Sequence, residues 1–360
     1  MPKEKQRVFI DTNAIMDENY FRSARSSAFL KAAKFLGIEV IIPEIVMDET
    51  LGNLTRALKE KLDRLESARR ALSALIELDE NEYELEDELG QLKDNLEDLL
   101  NNEGVLILPY PKIALKEIVE QSYVADKPFK ATGEGHKDFI IWHTMRGYIE
   151  KKKGKGINYF ITQNSTDFCD KSPNDLHPSL VNKLTVAASA PAVFVSLKAF
   201  FDQVILPMLP GLNQDDITAL NIDIKEVTQK TLEEHLDGRS LYGIEGLPFS
   251  NDVTIMFADA ENAFEEMSVK EIDASQILIS VTGNVEIEAH GFIDKSSYYG
   301  DEMIDSKLFI IDGDHNDHVM AVGANITTPF ELSLTYDKTT RTITGSEVDL
   351  VNEIHYDIYG

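Results

Sequence analysis

Short apolar runs alternate with segments of helical spacing along the first half of the chain. The apolar runs are rich in β-branched and aromatic residues and predict strands at residues 7–10, 39–42, 105–108, 159–162 and 192–196. The segments between them predict helices at residues 23–36, from Pro43 onward, at 111–121 and at 136–150. This alternation is typical of an α/β fold, in which helices cover both faces of a parallel sheet.

A polar segment with regularly spaced leucines separates the helix that begins near Pro43 from the third strand. Its leucines follow steps of three, four and seven at Leu51, Leu54, Leu58, Leu62, Leu65, Leu72 and Leu75, then at Leu85, Leu89, Leu92, Leu96 and Leu99. Neither Gly nor Pro interrupts residues 53–89, so we expect an insertion at about 51–103 of two long amphipathic helices that turn near residues 79–82. The favoured interpretation is a hairpin packed on the domain. The alternative is a coiled coil that recruits a partner or a second copy.

The hydrophobic pattern changes after Leu206, where Pro207, Pro210 and Gly211 indicate a linker. Two helical stretches follow, at residues 215–219 and 224–236. Alternating segments then predict strands at residues 277–281, 285–292, 307–311, 318–323, 330–336 and 341–348. We therefore expect two domains, residues 1–206 and 213–360, of which the second is an α+β domain built around a small antiparallel sheet, sandwich or half-barrel.

Charge is distributed unevenly over these segments. The formal net charge is -28, of which residues 213–360 carry -22 and residues 56–103 carry -8, so the rest of the chain is slightly basic at +2. An acidic protein is an unusual partner for phosphates, but the acidity lies outside the predicted α/β core. The single cysteine, Cys169, excludes an internal disulfide and a cysteine-built zinc site. With no apolar run long enough for a membrane helix, we expect a cytoplasmic protein with no membrane contact.

Acidic residues lie where strands end and helices begin. Asp11 follows the first strand, Glu49 lies one turn into the helix after Pro43, Asp138 lies early in the helix after Gly135, and Asp167 follows the fourth strand. The carboxyl ends of parallel strands meet at one edge of a sheet, where side chains from distant parts of the chain converge. Several hard oxygen ligands at one place suit Mg²⁺ or Mn²⁺, and such ions support cleavage of phosphodiesters.

Four blocks of sequence, in order, resemble the PIN domain. They are Val8-Phe9-Ile10-Asp11-Thr12-Asn13; Pro43-Glu44-Ile45-Val46-Met47-Asp48-Glu49; Gly135-His136-Lys137-Asp138-Phe139-Ile140; and Phe160-Ile161-Thr162-Gln163-Asn164-Ser165-Thr166-Asp167-Phe168. The resemblance covers about residues 7–206, interrupted by the leucine-rich insertion.

The resemblance implies a metal-dependent endonuclease, usually acting on RNA rather than DNA. It implies Asp11, Glu49 and Asp138 as metal ligands, with Asp167 as a fourth. Where the family often has an aspartate, this chain has Asn164, which offers a carbonyl oxygen without charge and weakens a second metal site. Thr12, Asn13 and Thr162 are expected to hydrogen-bond water or the ligand carboxylates.

Some nearby acids compete with these candidates. Glu44 and Asp48 could stand in place of Glu49, and Glu134 is a plausible extra ligand beside Asp138. For every carboxylate the alternative is an ordinary cap or turn residue, and for Asp167 this alternative is nearly as good as a functional role.

Basic residues predict a path for the substrate phosphates. Lys130 and Lys137 flank Asp138 and are the favoured phosphate ligands, with Arg22 and Arg25 as further candidates. The lysine run at residues 151–155 is better explained as a solvated helix end. In the second domain, residues 312–318 match neither a calcium loop nor a zinc site and predict a hairpin turn.

Two rival functions stay open from sequence. A haloacid-dehalogenase-like phosphatase also places an aspartate after its first strand, but it requires a second aspartate two residues later, where this chain has Asn13. A metal-free PIN-like scaffold that binds RNA or protein without cutting is the other rival, and Asn164 favours it. The acidic second domain could also dock a basic partner.

Overall fold

The computed structural model describes residues 4–77, 83–170, 172, 174–248, 253–260, 264–300 and 308–354. The chain divides into two units, Met1–Leu209 and Pro210–Gly360. Each unit is described by itself.

Five strands form the sheet of the first unit. They are β1 (Gln6–Ile10), β2 (Glu39–Pro43), β3 (Leu106–Leu108), β4 (Ile157–Ile161) and β5 (Ala192–Phe194). Their order is β3-β2-β1-β4-β5, and every neighbouring pair is parallel, which confirms the predicted parallel sheet. The chain moves outward from β1 to β3 and then returns to the other side of β1 as β4. Between β1 and β4 the order therefore reverses, and in such sheets a crevice opens at the carboxyl ends of these two strands.

Helices flank this sheet. They are α1 (Thr12–Asp17), α2 (Ala24–Leu36), α3 (Glu44–Ser73), α4 (Leu85–Glu103), α5 (Leu115–Val124), α6 (His136–Lys151), α7 (Ser165–Phe168), α8 (Pro178–Val181) and α9 (Leu197–Phe200), with 3-10 turns at Ala187–Ser189 and Leu206–Met208 and a π turn at Phe201–Ile205. The local sequence explains the ends of α2: the Ser23 hydroxyl accepts the Ser26 amide at 3.0 Å, and Gly37 ends the helix with a φ of 73°.

Aromatic side chains fill the core of the first unit. Phe9, Phe29, Trp142, Phe160, Phe168 and Phe200 are each at most 1% exposed. Phe139, which lies on α6 with Trp142, is also buried. These rings lie on the strands and on the helices that cover them, so the carboxylates at the strand ends rest on a rigid, close-packed base.

The predicted pair of long helices is present, but the first of them is continuous with the helix that begins after Pro43. Thus α3 runs for 30 residues, from Glu44 to Ser73. Its buried residues are confined to its first turns, at Ile45, Val46, Thr50 and Leu54, and those of α4 are Leu96 and Leu100 near its end. The favoured interpretation of a hairpin packed on the domain is therefore right only for the base of the hairpin. The turn predicted at residues 79–82 lies outside the described residues.

The helix predicted at residues 111–121 begins later and ends later, at Leu115 and Val124. Pro109 and Pro111 disfavour helix over their own segment. The amide of Tyr110, between them, donates to Glu44 Oε2 at 3.0 Å and anchors the segment to α3. No residue of α5 is buried, so this helix lies on the surface of its unit.

The second unit is built on antiparallel pairs. Its helices are α10 (Gln214–Ala219), α11 (Ile224–Leu236) and α12 (Lys295–Gly300); its strands are β6 (Ser240–Leu241), β7 (Gly243–Ile244), β8 (Val253–Asp259), β9 (Phe264–Glu271), β10 (Gln276–Asp294), β11 (Phe309–Asp312), β12 (Val319–Asp337), β13 (Thr342–Leu350) and β14 (Glu353–Ile354). Seven of the strands form one sheet, and β7 pairs with β14 in a second. The two predicted entrance helices and the antiparallel, β-rich character are confirmed.

The predicted short spacing of the strands is wrong at its centre. Residues 277–281 and 285–292 belong to the single 19-residue strand β10, and residues 318–323 and 330–336 belong to β12, which is equally long. The polar residues Gly283 and Asn284, which indicated a turn, mark instead where the neighbour of β10 changes from β9 to β8. A bulge between Thr282 and Gly283 accompanies this change. Strands β8 and β9 were not predicted.

The loop between β11 and β12 is a turn, as predicted for residues 312–318. Asp312 Oδ1 accepts the amide of Asp314 at 3.0 Å, and Asn316 Oδ1 accepts the amides of His318 and Val319 at 2.8 and 2.7 Å. These side chains satisfy the backbone of the turn itself. Lys307, at the start of the predicted strand 307–311, lies outside the described residues.

In the described ranges, none of the helices combines the length and the apolar character that crossing a membrane requires.

Candidate active site

Asp11 lies at the centre of the crevice between β1 and β4. Its Oδ1 accepts the amide of Thr12 at 2.7 Å and its Oδ2 accepts the hydroxyl of Thr162 at 2.6 Å. The backbone holds it from the same side, because the Asp11 amide donates to the carbonyl of Ile161 on β4 at 3.0 Å. The residue is only 5% exposed. Both carboxylate oxygens are thus fixed by donors that lie just beyond the ends of the two strands that border the crevice.

Burial raises the pKa of Asp11 from 3.8 to about 6. The hydrogen bonds from Thr162 and Thr12 oppose this shift, while the negative charges of Asp138 and Glu49 add to it. A carboxylate that is desolvated and surrounded by like charge is costly to keep ionised unless a cation lies beside it. Such an energetic imbalance is characteristic of functional sites.

Glu49 approaches Asp11 from α3. Its Oε2 accepts the hydroxyl of Thr12 at 3.1 Å, and its Oε1 forms an ion pair with Lys137 of α6. Thr12 therefore joins the two acids, since its amide binds Asp11 and its hydroxyl binds Glu49.

The competing acids on α3 point to a different neighbour. Asp48 Oδ2 accepts the hydroxyl of Tyr110 at 2.7 Å, and Glu44 Oε2 accepts the amide of the same residue at 3.0 Å. The bond to Asp48 raises the pKa of Tyr110 to about 12. Of the three acids near the start of α3, Glu49 is the one with a bond into the crevice.

Asp138 enters the crevice from the first turn of α6. Its Oδ1 accepts the side-chain amide of Asn164 at 2.9 Å. Burial raises its pKa, and the negative charges of Asp167 and Glu49 contribute in the same direction, while the bond from Asn164 opposes the shift. The backbone amide of Asn164 donates to the hydroxyl oxygen of Thr162 at 3.0 Å. Thr162 and Asn164 therefore connect Asp11 and Asp138 into one hydrogen-bonded network.

Asp167 completes the cluster from α7 and is 2% exposed. Lys130 Nζ lies 3.5 Å from its Oδ2, and Lys127 Nζ lies 4.0 Å from its Oδ1. Lys127 also donates to the carbonyl of Thr166. Both lysines belong to the loop that precedes α6, so this loop carries positive charge to the rim of the crevice.

The remaining candidates from sequence lie outside this network. Asn13 is half-buried in the first turn of α1 and, within the described part of the chain, has no hydrogen bond to the four acids. Arg25 lies 3.4 Å from Glu18, and Arg22 is an exposed residue. Glu134 is exposed, and its backbone carbonyl accepts the amide of Lys130 at 2.8 Å.

The four carboxylates offer a hard cation oxygen donors from four separate elements of the chain. Over the described ranges, however, no three acidic, histidine or cysteine side chains are already close enough together to hold a metal ion. Two of the four acids are paired with lysines, and the other two are held by neutral donors. The donor chemistry fits Mg²⁺ or Mn²⁺, and the raised pKa of Asp11 indicates where positive charge is lacking.

Sequence reasoning missed two contributors to this region. Lys127 contacts Asp167, but it was not among the phosphate ligands expected from the sequence. Tyr110 holds both Asp48 and Glu44 away from the crevice. No spacing rule relates either residue to its partners. Lys127 is 40 residues from Asp167, and Tyr110 is 66 and 62 residues from Glu44 and Asp48.

Comparison with known proteins bears on the first unit. A family model described as PIN domain matches residues 8–168, which contain all four carboxylates and both lysine-bearing segments. No curated protein and no solved structure matches the chain.

Proposed function

We propose that this chain, whose first unit carries a PIN domain over residues 8–168, is a divalent-metal-dependent nuclease that hydrolyses phosphodiester bonds. PIN domains are typically nucleases, and the family implies binding to nucleic acid. The observation that carries the proposal is the convergence of Asp11, Glu49, Asp138 and Asp167 at the crevice between β1 and β4, where the buried Asp11 forms no ion pair with any basic residue in the described ranges.

Asp11 is the proposed central metal ligand, with Glu49, Asp138 and Asp167 around it. Asn164 is a weaker oxygen donor, because its amide nitrogen faces Asp138 and its Oδ1 accepts the Thr166 hydroxyl at 3.2 Å. When bound, Mg²⁺ or Mn²⁺ would supply an activated water and neutralise charge on the phosphate. A cation in this crevice would also offset the desolvation that raises the pKa of Asp11.

Neutral side chains position the proposed ligands. The Thr162 hydroxyl and the Thr12 amide hold the two oxygens of Asp11, the Thr12 hydroxyl orients Glu49, and the Asn164 amide orients Asp138. Donors of this kind fix the direction of a carboxylate without neutralising it. Asn13 lies next to Thr12 and is retained only as a candidate for a water-mediated contact.

Lysines around the crevice are the proposed phosphate ligands. Lys137 and Lys130 already lie beside acids of the cluster, at Glu49 and Asp167, and their side chains are 62% and 48% exposed to solvent. They can therefore bind a phosphodiester laid across the crevice. Arg22 and Arg25 are weaker candidates, because Arg25 lies beside Glu18 and, among the described residues, neither arginine forms an ion pair with one of the four acids.

RNA is the proposed substrate rather than DNA, because RNA is the usual substrate of the family that the first unit resembles. The cytoplasm is the proposed location. Cys169, the single cysteine, is buried, and burial raises its pKa to about 11, which suits a structural thiol in reducing surroundings.

The direct test is cleavage of labelled single-stranded RNA and DNA of equal sequence by the full chain, with Mn²⁺, with Mg²⁺ and with EDTA. We expect RNA cleavage with either metal and none with EDTA. Calorimetric titration with Mn²⁺ on the wild type and on Asp11→Asn supplies the second measurement. Cleavage in EDTA, or a metal site that persists in Asp11→Asn, would overturn the proposal.

The second candidate function is a scaffold that binds RNA without cutting it. The observation in its favour is that Lys137 and Lys130 neutralise two of the four acids in the chain itself. A scaffold of this kind would bind RNA equally well in EDTA and would show no calorimetric Mn²⁺ site. The same two experiments therefore separate the candidates.

A further inference from the structure

The helical hairpin extends well beyond the part of it that packs on the first unit. The last buried residue of α3 is Leu54, and the first buried residue of α4 is Leu96. Residues 55–73 of α3 and 85–95 of α4 therefore form an outer hairpin with no fully buried side chain in its described part. At a rise of about 1.5 Å per residue, the outer part of α3 is roughly 28 Å long.

The outer hairpin keeps an apolar stripe along this length. On α3, Leu51, Leu58, Leu65 and Leu72 recur at intervals of seven, and α4 has leucines at 85, 89, 92, 96 and 99 with the alternating steps of a heptad. Leu65 and Leu72 are 42% and 44% exposed, and Leu75 and Ile76 beyond them are 80% and 53% exposed. Two helices alone leave half of each leucine stripe in water, whereas a four-helix bundle buries the stripes of both α3 and α4.

An open groove at this end of the hairpin shows where a further helix could pack. It has a volume of about 470 Å³ and is lined by side chains of both helices, among them Leu62, Leu65 and Leu85, together with Tyr83. Charged residues, among them Lys59, Asp63 and Glu84, line it as well. Leucines with charged residues beside them are the usual composition of an interface between amphipathic helices.

Charge indicates what fills the groove. Residues 55–73 hold six basic and three acidic residues, whereas residues 85–95 hold four acidic and one basic, so the two outer arms carry +3 and -3. One two-fold arrangement of two copies puts the α3 arm of each against the α4 arm of the other. Both contacts then join opposite charges, as a self-complementary interface requires.

We propose that the outer hairpin is a homodimerisation surface, on which a second copy of this chain packs antiparallel to form a four-helix bundle. This assignment does not depend on the nuclease activity, because it uses no residue of the crevice. Leu65 and Leu72 are its central contacts. Lys59 and Lys61 on one copy face Glu86 and Glu88 on the other.

Sedimentation of the full chain tests the proposal. We expect a dimer at micromolar concentration, and we expect Leu65→Asp with Leu72→Asp to raise its dissociation constant at least about 100-fold. The matched control is Leu115→Asp on α5, an equally apolar position that is 76% exposed and lies outside the hairpin. It should leave the dimer unchanged. Equal unfolding temperatures of the three proteins, taken as monomers at high dilution, exclude misfolding as the cause.

A charge-reversal pair tests the orientation of the two copies. A chain with Lys59→Glu and Lys61→Glu, and another with Glu86→Lys and Glu88→Lys, should each dimerise poorly, because like charges then meet at both contacts. Their equimolar mixture should form a heterodimer, since every contact again joins opposite charges. A wild-type chain that stays monomeric at about 100 μM, or a mixture no more associated than its components, would overturn the proposal.

Discussion

The two halves of the crevice balance their negative charge in different ways. On one side, Asp11 and Asp138 are held by the neutral donors Thr162, Thr12 and Asn164, and the pKa of each acid is raised. On the other side, Glu49 and Asp167 each lie beside a lysine, Lys137 and Lys130 respectively. The first half therefore stores uncompensated charge, whereas the second half is already neutralised by the chain.

This difference suggests a division of labour. Uncompensated carboxylates attract a cation strongly, because each must otherwise be ionised in a desolvated place. Lysine-paired carboxylates attract it less, but their lysines remain solvent-accessible and can be shared with a phosphate. We infer that the Asp11 side provides most of the metal affinity and that the lysine side provides most of the substrate affinity.

Removing the central charge should have the largest effect. We expect Asp11→Asn to lower the rate of RNA cleavage by about 100- to 1000-fold, because the amide keeps the shape of the carboxyl group but cannot neutralise a divalent ion. Single-turnover rates under saturating Mn²⁺ provide the measurement. The matched control is Asp48→Asn, whose partner is Tyr110, and we expect a change below about threefold. Equal losses in the two variants would mean that Asp11 matters no more for cleavage than Asp48, an acid that binds Tyr110 outside the crevice.

Asp11→Asn should lower the cleavage rate but raise the stability of the metal-free protein near neutral pH. The pKa of Asp11 is raised from 3.8 to about 6, so the folded state holds a proton that the unfolded state releases between these pH values. This group therefore favours folding at low pH and loses that contribution as the pH rises through about 6. Above that pH the buried charge costs up to about 3 kcal/mol, at 1.36 kcal/mol per pKa unit.

The comparison that isolates this cost is the difference in unfolding free energy between Asp11→Asn and the wild type in EDTA. We expect the variant to gain stability relative to the wild type as the pH increases from about 4 to about 7. Urea titrations at several pH values measure it. A difference that stays constant over this range would mean that Asp11 is compensated in the folded chain, and the contrast between the two halves would disappear.

Much of this site could be predicted from the sequence because its acids lie at element boundaries. Asp11 follows a strongly apolar run, and Pro43 fixes the start of the helix that carries Glu49. Such boundaries depend on local chemistry, which a sequence displays directly. The pairing of Lys137 with Glu49, across 88 positions, depends instead on how α6 packs beside α3, and no local pattern records that.

The second unit shows where local patterns mislead. Gly283 and Asn284 are residues that favour turns, yet they lie within a 19-residue strand. At this point β10 stops pairing with β9 and begins to pair with β8, and neither of these strands was predicted. A turn-forming residue tolerates a change of partner as well as it tolerates a turn, so its identity alone does not distinguish the two structures.

A smaller effect should follow from removing the lysines. We expect Lys130→Gln and Lys137→Gln each to weaken RNA binding by about three- to tenfold and to reduce the dependence of binding on salt by nearly one phosphate contact. Fluorescence anisotropy at several salt concentrations measures both quantities. Lys230→Gln, an exposed lysine of the second unit, serves as control. If the two site variants behave like this control, the lysines only neutralise the acids.

Mn²⁺ affinity in the same lysine variants shows whether each lysine competes with the metal for its carboxylate or positions that carboxylate as a ligand. Loss of Lys137 or Lys130 leaves Glu49 or Asp167 without its ion pair, so each variant should bind Mn²⁺ as well as the wild type or somewhat better. A loss of Mn²⁺ affinity would instead mean that the lysine positions the carboxylate as a ligand.

An effect no larger than that of the lysine variants should come from changing Asn164, the residue at which the crevice departs from the pattern of the PIN domain that it resembles. Asn164→Asp replaces a hydrogen-bond donor to Asp138 by a like charge. The side of the crevice that holds Asp11 and Asp138 then has a third carboxylate without an ion pair. We expect metal-free stability to fall by about 1 kcal/mol and Mn²⁺ affinity to rise by about three- to tenfold. Asn164→Ala is the informative control, because it removes the same bond without adding charge. It should share the loss of stability but not the gain in affinity. If both variants bind Mn²⁺ equally, charge at this position does not set the metal affinity, and Asn164 acts in the crevice only by orienting Asp138.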